Sequence, residues 1–457
     1  MHPQDLRHFL AAYASEHADD VLAIEEPLAS GQELTALVWQ LAARGRHPLL
    51  RAAHVGGSQV PVVTNLFASR PRIGRMLACA AADIHATYHA RSQRLLQVQL
   101  LPDGPVLAEV RTSGIDLATQ LPMLRHFETD RADYVTNAVV VAEDPDSGRG
   151  NLSYHRSMRH APDALATSLH SRGHLWRLQQ AAAARGRALP VAMVIGAHPL
   201  FMLAAAARVP LGTDEREVAG GLFGEPLQVV RTPRHGLAVP AHAEFVLEGE
   251  IDPEARVDEG PFGEFTGYSS HRSTHHLLRV CTLMRRRDAM LVDVVGGHSA
   301  EHLNLGRVPR ESEMVMKLRE RFPSVTAVHY PSSGTHFHAY VALRQARDGE
   351  ARQVMLGLLG WDPYLKTVIA VDEDVDLTRD EEVLWALATH FQPHRDLLVV
   401  DGLPGSALDP SASASGTTSR MGLDATRGAQ FEGVRARIAP EAMERAAALL
   451  AQLGAAA

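Results

Sequence analysis

The sequence predicts a mixed α/β protein of several domains, with an N-terminal α/β domain, a central split β-barrel and a C-terminal α/β domain that ends in a closing helix. The chain has 457 residues, which corresponds to about three domains at roughly 150 residues each. Its middle part is a dense series of short β segments with Gly and Pro turns, which is typical of a barrel or split barrel. From residue 311 helix and strand patterns alternate, as in an α/β layer domain. We expect domains at 1–110, 111–308 and 309–430, and a C-terminal helix in 431–457.

The N-terminal part contains two predicted helices and two predicted strands. Apolar residues three and four positions apart predict helices over 5–14 and 31–44. The apolar segment 21–24 is predicted to be a short strand, and 61–67 a buried strand that runs into a polar turn.

The middle of the chain contains further predicted strands, at 134–141, 152–155, 191–195, 227–231, 243–248 and 276–283. The segment 192–211 is apolar enough to be mistaken for a membrane span. It contains His198, Pro199 and Arg208, whereas a spanning helix needs about 20 apolar residues with few or no charges. We predict that it forms a buried strand, a turn and a short helix.

The C-terminal part is predicted to have helices at 311–322, 350–360 and 380–390, and strands at 325–330, 338–343, 367–371 and 397–400, the last of which ends the sheet. Residues 408–418, rich in Ser, Ala and Pro, are predicted to form a loop or linker. Pro440 opens a helix at 441–453 with its apolar residues on one stripe. Such a helix packs either on a neighbouring subunit or back on the same chain.

The composition argues against several classes of protein. Asp and Glu outnumber Lys and Arg by 53 to 45, and the net charge of −8 argues against a general nucleic-acid surface. Cys79 and Cys281 are too few for a disulfide framework or a four-cysteine metal site, so a reducing cytoplasm fits best. Because the N-terminus shows no signal-peptide pattern, we expect a cytoplasmic protein without a membrane span.

The segment 259–264 (EGPFGE) is the strongest indication of chemistry. It sets Glu259 and Glu264 on either side of a turn whose glycines let the backbone approach closely. A solvated β-turn with two surface acids is the simpler interpretation. Pro261 and Phe262, however, make the turn stiff and partly apolar, and carboxylates held against apolar surface can act as general acids near neutral pH.

A second candidate is the segment 151–156 (NLSYHR). If it is a strand, its two faces carry different side chains: Asn151, Ser153 and His155 on one, and Tyr154 and Arg156 on the other. An ordinary half-exposed strand is the alternative.

Two single residues are also candidates. His174 starts a predicted helix, where a helix-cap histidine is the simpler interpretation. Glu244 lies inside an apolar strand, and buried Glu is rare unless it is paired or bound to a metal. We therefore expect Glu244 to have a functional role.

In this order and spacing, these segments resemble the UbiD family of reversible decarboxylases, which use prenylated FMN. The resemblance covers almost the whole chain, and it implies that the central split barrel is flavin-reductase-like. The matching segments are PVVTNLF (61–67), NLSYHR (151–156), RGH (172–174), VIGAHP (194–199), VPAHAEFVLEGEI (239–251), EGPFGEFTGY (259–268), GLPGSALDPS (402–411) and SRMGLDAT (419–426).

The resemblance implies a cofactor site with two cations. Mn²⁺ or a similar divalent ion would be bound by Asn151, His174 and Glu244, an oxygen and nitrogen set that suits such a cation. K⁺ would be held by Glu244 and by backbone carbonyls around 205–207. Arg420 stands where the family usually has a cofactor-contacting Lys. The expected cofactor-binding residues are Asn151, Ser153, Tyr154, His155, Arg156, Ser168, Leu169, Arg172, Gly173, His174, Glu244 and Arg420.

The resemblance also implies the catalytic residues, because Arg156, Glu259 and Glu264 match the family's Glu–Arg–Glu network. We expect Arg156 to bind the substrate carboxylate and Glu264 to protonate the carbon that loses CO₂. Glu259 would fix Arg156 and tune the protonation of the pair. A separate flavin prenyltransferase would supply the cofactor, and the enzyme would form a homo-oligomer, a dimer or a hexamer.

The segment 296–310 bears on the substrate, a small carboxylic acid. In the family this region borders the substrate pocket, and here it carries the basic residues His298, His302 and Arg310. A solvated loop is an equal interpretation. If these residues point inward, they suit a small polar acid, and we expect a furan- or pyrrole-type carboxylate such as 2,5-furandicarboxylate. The alternatives are 4-hydroxybenzoate- and cinnamate-type acids.

Two other classes of function are alternatives. A non-catalytic flavin-binding subunit of a carboxylase complex would have no need of the Glu–Arg–Glu set. A flavin redox protein with a nicotinamide partner is disfavoured, because no G-x-G-x-x-G fingerprint follows a strand. His336 and His338 share one strand face without a carboxylate or Cys at metal-site spacing, so we expect surface or core histidines.

Overall fold

The N-terminal part of the computed structural model is a sheet with helices packed around it. The structure describes residues 2–169, 173–344, 347–413, 416–428 and 430–453. The first elements are α1 (Leu6–Glu16), β1 (Val21–Ile24), α2 (Glu33–Ala42), β2 (Leu49–Ala52), β3 (Val62–Thr64), α3 (Arg70–Met76) and α4 (Ile84–Ser92). The predicted helices at 5–14 and 31–44 and the strand at 21–24 are confirmed, while the strand predicted at 61–67 is shorter.

The middle of the chain alternates strands with short helices. Its elements are β4 (Gln99–Leu100), β5 (Glu109–Arg111), α5 (Leu117–Gln120), β6 (Tyr134–Val135), β7 (Val139–Glu143), β8 (Gly150–Tyr154), β9 (Ser157–Ala161), β10 (Ala164–Thr167), α6 (His174–Ala183), β11 (Leu189–Ile195), α7 (Pro199–Ala205), α8 (Glu215–Phe223), β12 (Gln228–Arg231), β13 (Ala238–Pro240), β14 (Phe245–Glu259), β15 (Ser273–Arg285) and β16 (Leu291–Val292). The strand predicted at 134–141 is divided into β6 and β7. Strands β9 and β10 form an additional hairpin.

Nine of these strands form one sheet, in the order β6–β9–β10–β15–β14–β11–β7–β8, with β5 paired to β15. Strand β16 instead completes the N-terminal sheet beside β3. Within the described residues no ladder joins the end strands β6 and β8, so the sheet is not closed into a barrel. The mixed α/β multidomain fold is confirmed, whereas the flavin-reductase-like split barrel and the domain boundaries stay predictions.

The nine-stranded sheet separates two hydrophobic cores. Side chains alternate along β11, so that Ala192 and Val194 belong to one core and Val191, Met193 and Ile195 to the other. Helices α1 and α7 pack in the first core, and α6 packs in the second. The buried strand, turn and short helix predicted in 192–211 are confirmed. In the part of the chain that the structure describes, no helix is long and apolar enough to cross a membrane.

The C-terminal part begins with a long helix and continues as a five-stranded sheet. Its elements are α9 (Ala300–Arg319), β17 (Val325–His329), β18 (His338–Leu343), α10 (Glu350–Trp361), β19 (Thr367–Asp372), α11 (Asp380–His390), α12 (Pro393–Asp396), β20 (Leu397–Pro404), β21 (Thr417–Asp424) and α13 (Pro440–Gln452). The sheet order is β17–β18–β19–β21–β20, so the strand predicted to end the sheet is followed by β21, which inserts between it and β19.

Helix α9 corrects the interpretation of residues 296–310 as a solvated loop. The helix begins at Ala300, where Ser299 Oγ accepts a hydrogen bond from the His302 amide at 3.1 Å. Its polar side chains are buried against distant partners. The carboxylate of Glu301, for example, accepts hydrogen bonds from the amides of Asn65 and Phe67. Most polar residues of the helix up to Arg310 are therefore packed, whereas His298, which precedes the helix, is exposed.

Candidate active site

Two neighbouring cavities lie between the central strands and loops of the C-terminal sheet. The first cavity has a volume of about 630 Å³ and the second of about 580 Å³. Tyr364, Ser406 and Ala407 line both, so the two cavities form one continuous cleft. The cleft has room for a cofactor and a small substrate.

The first cavity brings together three polar side chains from separate elements. Asn151 lies on β8, His174 is the first residue of α6, and Glu215 is the first residue of α8. His174 Nδ1 lies 3.9 Å from Glu215 Oε1. Asn151 donates from its amide nitrogen to Ser153 Oγ at 3.2 Å, which leaves its amide oxygen for a ligand.

Burial sets the charge of these groups. Glu215 is 2% exposed, and burial raises the pKa of its carboxyl group to about 7 even though the Leu152 amide donates to it at 2.9 Å. Burial also lowers the pKa of His174, which favours the neutral imidazole. An amide oxygen, a neutral imidazole and a carboxylate are the donors that a hard or borderline divalent cation takes. The residues present therefore fit Mn²⁺ or a similar ion.

Glu244, the predicted third metal ligand, lies elsewhere. Its side chain is fully buried and is held by Arg7 of helix α1, whose Nη2 lies 2.9 Å from Oε2. The amide of Met290 donates to the same oxygen at 3.0 Å. Glu244 does not line the first cavity. The carboxylate that lies there with Asn151 and His174 is that of Glu215. The expectation that Glu244 binds the metal and K⁺ is therefore corrected: its burial is explained by an ion pair.

Glu215 is the functional candidate that the sequence reasoning missed. A Glu in the first turn of a helix is ordinary, because the helix dipole favours an acidic residue there. A signal was nevertheless present. Glu215 falls on the same helical stripe as Val218, Ala219 and Leu222, all of which are buried. A carboxylate on an apolar stripe is as unusual as one in an apolar strand.

The second cavity carries a Glu–Arg–Glu network on one wall. Arg156 donates from Nε and Nη2 to the two carboxylate oxygens of Glu259, both at 2.9 Å. Its Nη1 forms an ion pair with Glu264, and its guanidinium lies 5.1 Å from the centroid of the Phe262 ring. Arg156 and Glu264 line the cavity, and Glu259 lies fully buried behind them. The three predicted side chains are thus in direct contact.

The loop between β14 and β15 positions Glu264. The amide of Gly263 donates to Asp130 Oδ1, and the amide of Glu264 donates to the Tyr268 carbonyl, both at 2.9 Å. A Cβ atom at Gly263 would overlap the ring of Phe127, so this close approach requires glycine. Glu264 is 7% exposed, which overturns the interpretation of this segment as a solvated turn.

Most of the other predicted cofactor residues line the same cleft. Ser153 Oγ lies 2.9 Å from His155 Nε2, and His155 Nδ1 lies 2.8 Å from the carbonyl oxygen of Ser168. Arg172 lies outside the described residues. Ser153 and Gly173 line the first cavity, and Tyr154, His155, Ser168 and Leu169 line the second.

Arg420 does not line either cavity, which corrects the expected cofactor contact. Its guanidinium is buried and donates to main-chain carbonyls, those of Leu359, Asp362, Pro363 and Pro404. Tyr364 directly follows Pro363, Gly405 directly follows Pro404, and both line the first cavity. Arg420 therefore stabilises the backbone of the two segments that line the cleft, without lining the cleft itself.

The three predicted substrate residues lie in different places. His302 lines the second cavity, and its Nδ1 lies 3.1 Å from the Gly297 carbonyl oxygen. His298 lines a separate cavity of about 280 Å³. Arg310 is buried behind Tyr364, with its guanidinium 4.9 Å from the ring centroid and its Nε 3.4 Å from the Asp362 carboxylate. His298 and Arg310 do not line the second cavity, and their placement at the substrate stays a prediction.

The remaining histidines form no metal site in the described part of the chain, where no group of three or more His, Cys, Asp or Glu residues could hold an ion. His336 packs on Phe265 with ring centroids 4.8 Å apart, which is a core position as predicted. The set in the first cavity differs from such a group, because one of its three members is the amide of Asn151.

The sequence matches three models of one family. Residues 13–91, 99–299 and 303–425 match the UbiD N-terminal, Rift-related and C-terminal domains, each described as a domain of 3-octaprenyl-4-hydroxybenzoate carboxy-lyase. The anhydromevalonate phosphate decarboxylase of Methanosarcina mazei is 34% identical over 388 residues, which cover 85% of this chain and 89% of the relative.

Solved structures show the same similarity in three dimensions. The UbiD-class enzyme HmfF from Pelotomaculum thermopropionicum in complex with FMN is 33% identical, with a TM-score of 0.91 and coverage of 96% of this chain and 98% of that chain. An evolved dimeric form of HmfF in complex with prFMN is 30% identical, with a TM-score of 0.86 and coverage of 96% and 99%.

Proposed function

The chain belongs to the UbiD family of carboxy-lyases, and from this we propose that it decarboxylates a small unsaturated or heteroaromatic acid with prenylated FMN. A single observation carries the proposal. Arg156, clamped by Glu259 and in contact with Glu264, lines a cavity that is continuous with the one where Asn151, His174 and Glu215 meet.

We propose that the first cavity would hold the divalent metal ion of the cofactor site. Asn151, His174 and Glu215 would bind Mn²⁺ or a similar divalent ion, since this donor set has no thiolate and one carboxylate. The backbone carbonyls near residues 205 and 207, which line the same cavity, would help to hold K⁺. When bound, the prenylated flavin supplies the electron sink that loss of CO₂ from an sp² carbon requires.

The chain's own residues would perform the remaining steps. Arg156 would bind the substrate carboxylate at the guanidinium edge that Glu259 does not occupy, the edge whose Nη1 contacts Glu264. Bound substrate would displace water from the second cavity around the reacting carbon. Glu264 donates the proton to the carbon that has lost CO₂. A non-catalytic subunit would have no physical need of an arginine held between two buried carboxylates.

We propose a heteroaromatic acid of the furan or pyrrole type as substrate. The second cavity is lined by polar and basic groups besides Arg156, namely His155, His271, His275 and His302. Such a wall suits a small acid with a second polar or anionic group better than an apolar cinnamate. A second candidate is a phosphorylated unsaturated acid, because the 34% identical relative is an anhydromevalonate phosphate decarboxylase.

The test is a substrate screen with the loaded enzyme. We would co-produce the protein with a flavin prenyltransferase and measure CO₂ release from furan, pyrrole, benzoic and acrylic acids and from anhydromevalonate phosphate. The highest kcat/KM is expected for a furan or pyrrole acid. Preference for the phosphorylated acid would support the second candidate. Activity with hydrophobic cinnamates and none with heteroaromatic acids would contradict the heteroaromatic assignment.

We also propose that the protein is a homo-oligomer built with helix α13. This helix has no buried residue, and it exposes a stripe formed by Met443, Leu449, Leu450 and Leu453. A stripe of this kind is stable when it packs on another surface.

Removing residues 431–457 is therefore expected to lower the oligomer mass in light scattering, with the folded core retained by circular dichroism. Glu444→Gln, a change on the same helix outside the stripe, serves as the control and should leave the mass unchanged. A truncated protein with the same number of subunits as the full chain would contradict the proposal.

A further inference from the structure

An outer cavity of about 280 Å³ touches Glu264 in the loop between β14 and β15, the catalytic loop. Among the residues that the structure describes, Glu264 is the one that lines both this outer cavity and the second cavity. The other walls of the outer cavity come from α2, the loop before Asp130, the rest of the catalytic loop and the turn before α9. They include Trp39, Phe127, Thr129, Tyr268, Ser269 and His298.

The outer cavity is open to solvent and has polar groups along its length. Trp39 is 48% and Tyr268 65% exposed, and Glu128 and His298 are also exposed. Thr129 Oγ1 and Ser269 Oγ lie 2.5 Å apart and bring two hydroxyl groups to its wall. Because one water occupies about 30 Å³ in the liquid, the volume of about 280 Å³ has room for several hydrogen-bonded waters.

The reaction consumes a proton that must come from outside the second cavity. The substrate binds as a carboxylate, its C–C bond breaks, CO₂ leaves, and the carbon takes the proton of Glu264. Glu264 is then ionised and needs one proton from solvent per turnover. A substrate or product that fills the second cavity covers the side of Glu264 that faces this cavity.

We propose that Glu264 regains its proton from solvent through the outer cavity. This inference rests on the proposed function, in which Glu264 is the proton donor. It makes the outer cavity a proton route that is separate from the entry of substrate. It also gives His298, which lies away from the substrate cavity, a place at the mouth of this route.

The test closes the outer cavity reversibly. A Thr129→Cys variant, in a background with Cys79→Ser and Cys281→Ala, is modified with benzyl methanethiosulfonate and later released with a reductant. Arg131→Cys, treated in the same way, is the matched control, because Arg131 is exposed on the same loop but is not part of the lining. We would measure CO₂ release, KM, substrate binding by calorimetry, and deuterium exchange into the product in D₂O without bicarbonate.

Modification of Thr129→Cys is expected to lower both kcat and product exchange by about tenfold or more, since general acid catalysis contributes about 10²–10⁴-fold. The calorimetric affinity and KM should stay unchanged, the reductant should restore both rates, and modified Arg131→Cys should remain active.

Unchanged rates in the modified Thr129→Cys protein would overturn the proton route. Weaker substrate binding with normal exchange would also overturn it, and would make the outer cavity a substrate entrance. If the unmodified parent protein released no CO₂ from any acid and exchanged no product proton, the proposed function itself would fail.

Discussion

Replacing Glu264 with Gln is expected to lower kcat for CO₂ release by at least about 10²–10⁴-fold, the usual contribution of a positioned general acid. Glutamine has a similar shape and can keep a contact with Arg156, but its amide cannot deliver the proton. Glu264 lines the second cavity, so the change should leave the first cavity untouched. Flavin absorbance and metal content per protomer should therefore match those of the unchanged enzyme.

Glu254→Gln provides the control for this prediction. Glu254 lies on β14, the strand that leads into the catalytic loop, but it is exposed and lines neither cavity. We expect it to retain full activity. Near-normal turnover in a cofactor-loaded Glu264→Gln protein would refute the role of Glu264 as the proton donor.

The Glu–Arg–Glu contact illustrates what the sequence could predict. The positions came from the match to a family motif, and the structure places Arg156 in contact with both Glu259 and Glu264. Local pattern also predicted most elements, because periodicity depends on neighbouring residues alone. The strand at 21–24 and the helix at 380–390 have the predicted bounds.

Helix α9 illustrates what the sequence could not predict. Its first half contains Pro309 and many polar residues, a composition typical of a loop. The helix forms because those polar groups find partners on distant segments. Asn304, for example, donates to the carbonyl of Phe67, and Arg307 donates to that of Tyr330. Such tertiary partners have no local signature, so propensity alone gives the wrong answer.

The same limit explains the choice between the two buried glutamates. Glu244 and Glu215 are both nearly inaccessible, and burial of an acid implies a compensating charge in either case. For Glu244 that charge is Arg7, which is 237 residues away in the sequence. Glu215 accepts a hydrogen bond from the Leu152 amide at 2.9 Å and lies 3.9 Å from His174, whose neutral imidazole adds no charge, so the bound cation of the proposed metal site would supply it. The sequence identifies the burial of such an acid, but it does not identify the partner.

A matched pair of substitutions separates these two roles. Glu215→Gln is expected to weaken metal binding by more than about 100-fold, because even residues that only support a ligand account for about 10–100-fold. Retention of the flavin should fall with the metal. Glu244→Gln should instead keep metal and flavin and lower the free energy of unfolding by about 1–3 kcal/mol, since Arg7 loses its buried charged partner. Metal content by mass spectrometry and flavin absorbance measure the first effect, and urea unfolding measures the second.

Without metal, the two substitutions should differ in their effect on the free energy of unfolding, and only Glu244→Gln should lower it. Burial raises the pKa of Glu215 to about 7, so at pH 8 its carboxylate is ionised at a cost to the folded state. A neutral glutamine removes that cost, and metal-free Glu215→Gln should be at least as stable as the unchanged metal-free protein. Metal-free Glu244→Gln should remain less stable, because its partner Arg7 belongs to the fold and not to a ligand. If Glu244→Gln lost the metal while Glu215→Gln retained it, the first cavity would not be the metal site, and the flavin would have to be placed elsewhere.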